Sequence, residues 1–253
     1  MAKRFLTVLI VVVIAASVAG VLGFRYVATK LHEKDLASRL LARPDISITV
    51  IEGKRREEIA MLLDAAGVTS KTAFLQASQT HEGYLFPDTY RFFKDTPAKD
   101  VVQTMLTDFN NRTKDYSISK EQLILASIVE REASNDLERA TIAGVYANRL
   151  AISMKLEADP TVQYAKDSES NTSTYWGPIT RADYLSVLSP YNTSRIPGLP
   201  PGPIANPGIK SIRAAINPAK HDYLYFFHRN GKIVLSKTLQ EHEAAIQAAD
   251  KQG

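Results

Sequence analysis

From Phe5 to Phe24 the chain runs for twenty residues without a charge, with Lys3 and Arg4 before the run and Arg25 after it. At about 1.5 Å per residue such a helix spans the ~30 Å hydrocarbon core of a bilayer. The pattern predicts one transmembrane helix with a cytoplasmic N-terminus, residues 1–25 forming the stub and the span. A cleaved signal peptide is the alternative, because Ser17 and Ala19 are small enough for a cleavage site, although its apolar stretch is usually shorter. Arg25 and Lys30 weaken the charge contrast across the span. Residues 26–44 are polar with scattered leucines and end at Pro44, which reads as a partly helical stalk.

Beyond the stalk the period changes. Ile46, Ile48 and Val50 alternate with polar residues as in a half-buried strand, and Glu52-Gly53 turns the chain. Ile59, Leu62, Leu63 and Ala66 recur at helical spacing, with Gly67 where a C-terminal cap belongs. Residues 45–80 therefore form a strand-helix module too small to be stable alone. A main domain over 81–253 opens with aromatic residues around Pro87-Asp88. Thr96 and Pro97 predict the start of a helix with Val102, Met105, Leu106 and Phe109 on its apolar stripe. Ser119 and Gln122 form a capping box for the next helix, with Ile118 and Leu123 at the positions of a hydrophobic staple. Asn135 and Glu138 repeat the box before a helix carrying Ile142, Val145, Tyr146 and Leu150. After Asp159 the pattern predicts loop, including a rigid stretch from Pro197 to Gly208 with five prolines and three glycines. Strands at 223–227 and 233–235 around Asn230-Gly231, and a helix over 239–249, complete an α+β chain.

Composition narrows the class. Hydrophobic residues at 45% and charged ones at 23% suit a folded domain rather than disorder or several membrane spans. The absence of cysteine removes disulfides, thiolate nucleophiles and cysteine metal sites together. A net charge of +4 without a dense Lys/Arg cluster favours an anionic surface over nucleic acid. The five histidines are scattered without ligand spacing, so neither a metal nor another cofactor is expected. Ser117 and Lys120 match Ser-x-x-Lys but belong to the capping segment, and no Lys-Thr-Gly follows.

One residue breaks the hydrophobic pattern in a chemically useful way. With Leu125 at zero and about 100° per residue, Glu132 falls near −20°, between Ile128 near −60° and Val129 near +40°. A carboxyl group in the middle of an apolar face has its charged form disfavoured and its pKa raised, the state a general acid needs. Glu130 lies on roughly the opposite side, where a solvated glutamate is expected. Pairing of Glu132 with Arg139 or Arg149 is the purely structural alternative.

Several motifs in one order make the reading specific. They are the segment Glu82 to Tyr90 (EGYLFPDTY), Leu125 to Glu132 (LASIVERE), Ala147 to Leu150 (ANRL), Asp159 to Tyr164 (DPTVQY), and Pro190-Tyr191-Asn192-Thr193 leading to Gly198-Leu199-Pro200-Pro201-Gly202. Over roughly residues 46–247 the chain resembles the YceG-like endolytic murein transglycosylases, the MltG family. The resemblance implies a single-pass inner-membrane protein working beside wall-synthesis enzymes, with an extracytoplasmic LysM-like module and a YceG-like catalytic domain. It also implies a lysozyme-like helical glutamate that cuts peptidoglycan glycan strands. Glu132-Ala133, Gln163 and Tyr191-Asn192 are similar in order to the Glu-Ser, Gln and Tyr-Asn elements of lysozyme-like lytic transglycosylases, which selects Glu132 over Glu130. Glu132 is then the acid and base that leaves 1,6-anhydro ends, and Gln163, Tyr191 and Asn192 are substrate-binding candidates. Asp159, Asn148 and Glu82, in the shared motifs, are further candidates. Hydrolysis remains open, with Asp88, Glu157 or Asp159 as a second carboxylate, as does a glycan-binding scaffold without activity. Relatives often carry a Gly-x-His-x-Phe-like hairpin where this chain reads Gly231-Lys232-Ile233-Val234-Leu235, so no site role is assigned there.

Overall fold

The computed structural model describes residues 20–34, 45–169 and 174–251, in two units divided at Asp45. In the first unit, residues 20–34 form a helix, α1, that leaves Val21, Leu22, Phe24, Tyr26, Val27 and Leu31 exposed. No described helix is long and apolar enough to cross a membrane. Most of the expected span, residues 5–19, and residues 35–44 of the expected stalk lie outside the described residues.

The second unit opens with strand β1 (Asp45–Thr49), helices α2 (Arg56–Ala65) and α3 (Lys71–Ala77), and strand β2 (Thr89–Phe93), which pairs with β1. Gly67 ends the first turn-out of α2 at φ +72°, a conformation open to glycine at little cost. Ser70 caps α3 by accepting the amide hydrogen of Ala73. Ile48, Ile59, Leu63 and Phe74 share one core with Leu85, Tyr90 and Phe92, and with Val101 and Met105 of α4 (Ala98–Thr113). This packing runs past residue 80, because the strand that completes the sheet lies beyond it. Helix α4 begins one residue later than Thr96-Pro97 suggested, and the Thr96 hydroxyl donates to the Phe93 carbonyl instead.

The second core surrounds α5 (Lys120–Glu132). Its N-terminus carries both halves of the expected capping box: the Gln122 amide donates to Ser119 Oγ at 3.2 Å, and the Ser119 amide to Gln122 Oε1 at 2.9 Å. Every residue from Leu123 to Val129 is buried, so α5 is a central helix enclosed on all sides rather than an amphipathic one. Ser127, buried within the helix, donates to the Ile124 carbonyl and accepts the Ile204 amide. Around α5 stand α6 (Arg139–Ala151), α7 (Asp159–Glu169) and α9 (Ile209–Ile216), with the short α8 (Asp183–Ser186) against α7. Helices α7 and α9 occupy stretches expected to be loop. Helix α6 starts at Arg139, and the expected box at Asn135 does not form. Asn135 Oδ1 takes the Leu137 amide and Glu138 Oε2 takes the Ser134 amide, closing a turn instead.

The proline-rich segment is buried from Pro203 to Gly208 and ties the two cores together. Asn206 Oδ1 accepts the amides of Gly83 and Leu85, both at 2.9 Å, while its Nδ2 donates to the Lys54 carbonyl and Glu82 Oε1, also at 2.9 Å. A Cβ at Gly83 would stand 2.6 Å from Pro203, so this crossing requires glycine. The chain then forms an antiparallel hairpin, β3 (Tyr225–Arg229) and β4 (Lys232–Ser236), with His228 opposite Ile233. Asn230 and Gly231, at φ +50° and +71°, supply its two-residue turn. Thr238 and Glu241 form a capping box for α10 (Leu239–Asp250).

Candidate active site

Glu132, a half-buried residue, is the last of α5, and its carboxyl group faces a cavity of about 360 Å³. Tyr146 and Arg149 of α6 line one side, followed by Leu156, Glu157 and Asp159 at the entrance to α7. Tyr225, Phe226, Phe227 and His228 of β3, with Leu239 and His242 of α10, line the other. Strand β3 of the hairpin is thus one wall of the cavity around Glu132, while Gly231 to Leu235, given no site role, do not line it.

Two helices fix the carboxyl group. Tyr146, 2% exposed, donates its hydroxyl hydrogen to Glu132 Oε1 at 2.7 Å and meets the edge of Phe226 at 5.9 Å between ring centroids. Burial pushes the Glu132 pKa up to about 7; the Tyr146 hydrogen bond opposes it, the charge of Asp159 adds to it, and Arg149 and Arg131 oppose it. Neither Arg139 nor Arg149 pairs with Glu132. Arg139 Nη1 binds Glu130 Oε1 at 2.7 Å, and Arg149 Nη1 stands 3.5 Å from Glu157 while donating to the Leu156 carbonyl at 2.7 Å. Arg149 Nε also donates to the Leu224 carbonyl at 2.6 Å, so one guanidinium links both cavity walls.

Glu130 corrects the simplest reading of the helical wheel. It is not solvated: its side chain is 4% exposed, pairs with Arg139 and accepts the Gly208 amide at 2.9 Å. The two glutamates differ in what they meet. Glu130 finds a cation and an amide; Glu132 finds a phenol and a second carboxylate's field.

Asp159 shares the cavity and accepts the Tyr184 hydroxyl hydrogen at 2.8 Å. Glu157 lies beside it with φ +50°. His228 Nε2 stands 3.1 Å from Glu138 Oε2. Burial pushes the Glu138 pKa up, but its hydrogen bonds with His228, Asn135 and Ser134 outweigh that and hold it below the usual value. His242 stacks on Tyr225, and burial together with Arg149 lowers its pKa.

The remaining expected site residues do not line this cavity. Gln163 Nε2 donates to the Trp176 and Gly177 carbonyls. Asn192 is wholly buried and donates to the Tyr184 and Val187 carbonyls. Tyr191 packs its ring 4.9 Å from that of Tyr164. Asn148 donates to the His221 and Tyr223 carbonyls, holding the approach to β3. Glu82 accepts the Arg56 amide and Asn206 Nδ2, and burial followed by the charge of Glu57 raises its pKa to about 8. Asp88 pairs with Arg112, outside the cavity. Among the described residues no group of three or more His, Asp or Glu side chains could hold a metal ion.

Tyr146, Arg149 and β3 were missed as site residues. Tyr146 had a signal: a tyrosine in an apolar stripe needs a partner for its hydroxyl. Comparison with known proteins adds the family. Residues 22–248 match the YceG-like family. The chain belongs to the YceG-like family. Its relatives include the endolytic murein transglycosylase of Bacillus subtilis (strain 168), 41% identical over 174 residues that make up 65% of this chain and 46% of that protein. The endolytic murein transglycosylase of Streptococcus pneumoniae serotype 2 is 33% identical over 175 residues, 65% of this chain and 31% of that protein. This YceG-like chain thus spans less than half the length of these curated relatives. A crystal structure of a yceG-like protein from Listeria monocytogenes superposes with a TM-score of 0.67 at 32% identity, covering 78% of this chain and 74% of that one.

Proposed function

We propose that this chain is an endolytic lytic transglycosylase of peptidoglycan, a lyase in which Glu132 is both acid and base. The observation that carries the reading is the Glu132 carboxyl group at the cavity, bonded to Tyr146, with burial raising its pKa to about 7. Glu132 donates its proton to the oxygen linking N-acetylmuramic acid to N-acetylglucosamine, and the bond from the muramoyl C1 to that oxygen breaks. The carboxylate then takes the proton of the muramoyl 6-hydroxyl as its oxygen bonds to C1, closing a 1,6-anhydro ring. A group that must give and then accept a proton near neutral pH works best with a pKa near 7. The relatives named endolytic murein transglycosylase support the assignment.

The same proposal puts the cavity outside the cytoplasm, in a single-pass inner-membrane protein anchored through residues 5–24 beside wall-synthesis enzymes. The uncharged run and the exposed apolar residues of α1 support the anchor. The strand-helix-helix-strand order of β1, α2, α3 and β2 supports a LysM-like module. Asp159 and Glu157 favour a second reading, hydrolysis with one of them as base or nucleophile.

The test is digestion of un-crosslinked glycan strands by the full chain in detergent, with products read by mass spectrometry. Anhydro ends are expected, and Glu132→Gln should lose at least ~100-fold in rate. Reducing ends would establish hydrolysis instead, and intact strands, or a fully active Glu132→Gln variant, would end the proposal.

A further inference from the structure

Tyr146 is the side chain that holds the Glu132 carboxyl group in place. Its hydroxyl is the hydrogen-bond partner of Glu132 Oε1, at 2.7 Å, and among the described residues Oε2 has none. The two carboxyl oxygens are therefore unequal: one is held in the protein, the other is left to the cavity. The phenol comes from a fully enclosed position on α6, braced by Phe226, so it has little freedom to turn elsewhere.

We infer that Tyr146 is a positioning residue that directs the mobile proton of Glu132 to Oε2 and stabilises the carboxylate left behind when that proton is given away. The inference rests on the proposed acid-base role of Glu132. Its physical basis is the difference between two hydrogen bonds. A phenol donates to a neutral carboxyl oxygen moderately and to a carboxylate oxygen roughly twice as strongly. The gain appears as the proton leaves, so it lowers the barrier to donation rather than strengthening ground-state binding. The other charged or titratable groups facing Glu132 are Arg131 on its own helix, Arg149 on α6, Glu157 and Asp159 before and at α7, Tyr184 on α8, Tyr225 and His228 on β3, and His242 on α10. None of them makes a hydrogen bond to the carboxyl group among the described residues. Of these, burial and Asp159 push the proton affinity up, and Tyr146 is the largest influence bringing it down.

The experiment follows the Glu132 side-chain carboxyl of the full chain by carbon-13 NMR across pH, beside pH-rate profiles on un-crosslinked glycan. Tyr146→Phe should raise the Glu132 titration midpoint by about one to two units, the size of one hydrogen bond to a charged group. The alkaline limb of kcat should move up by the same amount, with kcat at neutral pH lowered roughly 10-fold and KM within about twofold. Replacing Tyr146 with 3,5-difluorotyrosine, a stronger donor of nearly the same shape, should move midpoint and limb the other way. A midpoint unmoved in both variants overturns the inference, even if activity is lost, because a packing role alone leaves the titration in place. The NMR readout needs no turnover, so a failure of the proposed reaction would show separately, as an active Glu132→Gln variant.

Discussion

Gly208 donates its backbone amide to Glu130, 2.9 Å away, and so anchors the start of α9 to the helix that ends in Glu132. With Arg139 on its other oxygen, Glu130 is the structural member of a pair of glutamates two residues apart. Glu130→Ala leaves both the Gly208 amide and the Arg139 guanidinium short of an acceptor. Loss of a buried partner of this kind costs about 3 kcal/mol. Urea denaturation should show that loss, while pH-rate profiles of the surviving folded protein keep their limbs.

Stability itself should depend on Glu132. Its folded pKa, raised from 4.5 to about 7, means the folded state holds its proton more tightly than the unfolded chain does. That contribution is full below pH 4.5 and is lost as pH rises through 7. Glu132→Gln removes the ionisation and keeps an acceptor for Tyr146. At pH 8.5 the variant should be more stable than the parent by up to about 3 kcal/mol, and at pH 4 nearly equal to it. Chemical denaturation at the two pH values reads the difference, and a gap independent of pH would contradict it.

Asn206 should prove more sensitive than any expected sugar-binding amide. It satisfies the amides of Gly83 and Leu85 and donates to Lys54 and Glu82, joining both cores. At about 1 kcal/mol per hydrogen bond, Asn206→Ala should cost roughly 3 kcal/mol or more. A melting temperature within a degree or two of the parent would show that water replaces these contacts.

His228 is the polar residue that β3 brings to the cavity, where it meets Glu138. His228→Ala should weaken affinity for un-crosslinked glycan roughly 10-fold, the worth of one hydrogen bond of about 1.4 kcal/mol. Titration calorimetry with the inactive Glu132→Gln background checks this without turnover; equal affinities would remove β3 from the binding surface.

The features legible in the sequence are those whose physics is local. Ser119 and Gln122 lie three residues apart and bond to each other, and Asn230-Gly231 closes its own turn. The same residue types failed at Asn135, because its side chain found the Leu137 amide before a helix could start. Helix α7 was hidden by its polar composition, although Pro160 in a first turn suits a helix. The helical wheel named Glu132, yet α5 is enclosed on every side, so a wheel could not separate it from Glu130. What separates them is contact with Arg139, Gly208 and Tyr146, brought together by tertiary packing. Gln163 and Asn192 carried their expected roles through resemblance, while in the fold their amide groups hold the loops after α7.

The hairpin and α10 follow α5, α6 and α7 in the chain by some fifty-five residues or more, and they supply one whole side of the space around Glu132. During synthesis the helical core can assemble first, with its glutamate still open to water and as acidic as any other. Only when the ribosome has delivered the hairpin is the second wall of the cavity in place, adding to the burial that raises the proton affinity of Glu132. Acidity at this site is thus a property of the finished chain, acquired late, and a protein released short of β3 would keep its glutamate without being able to use it.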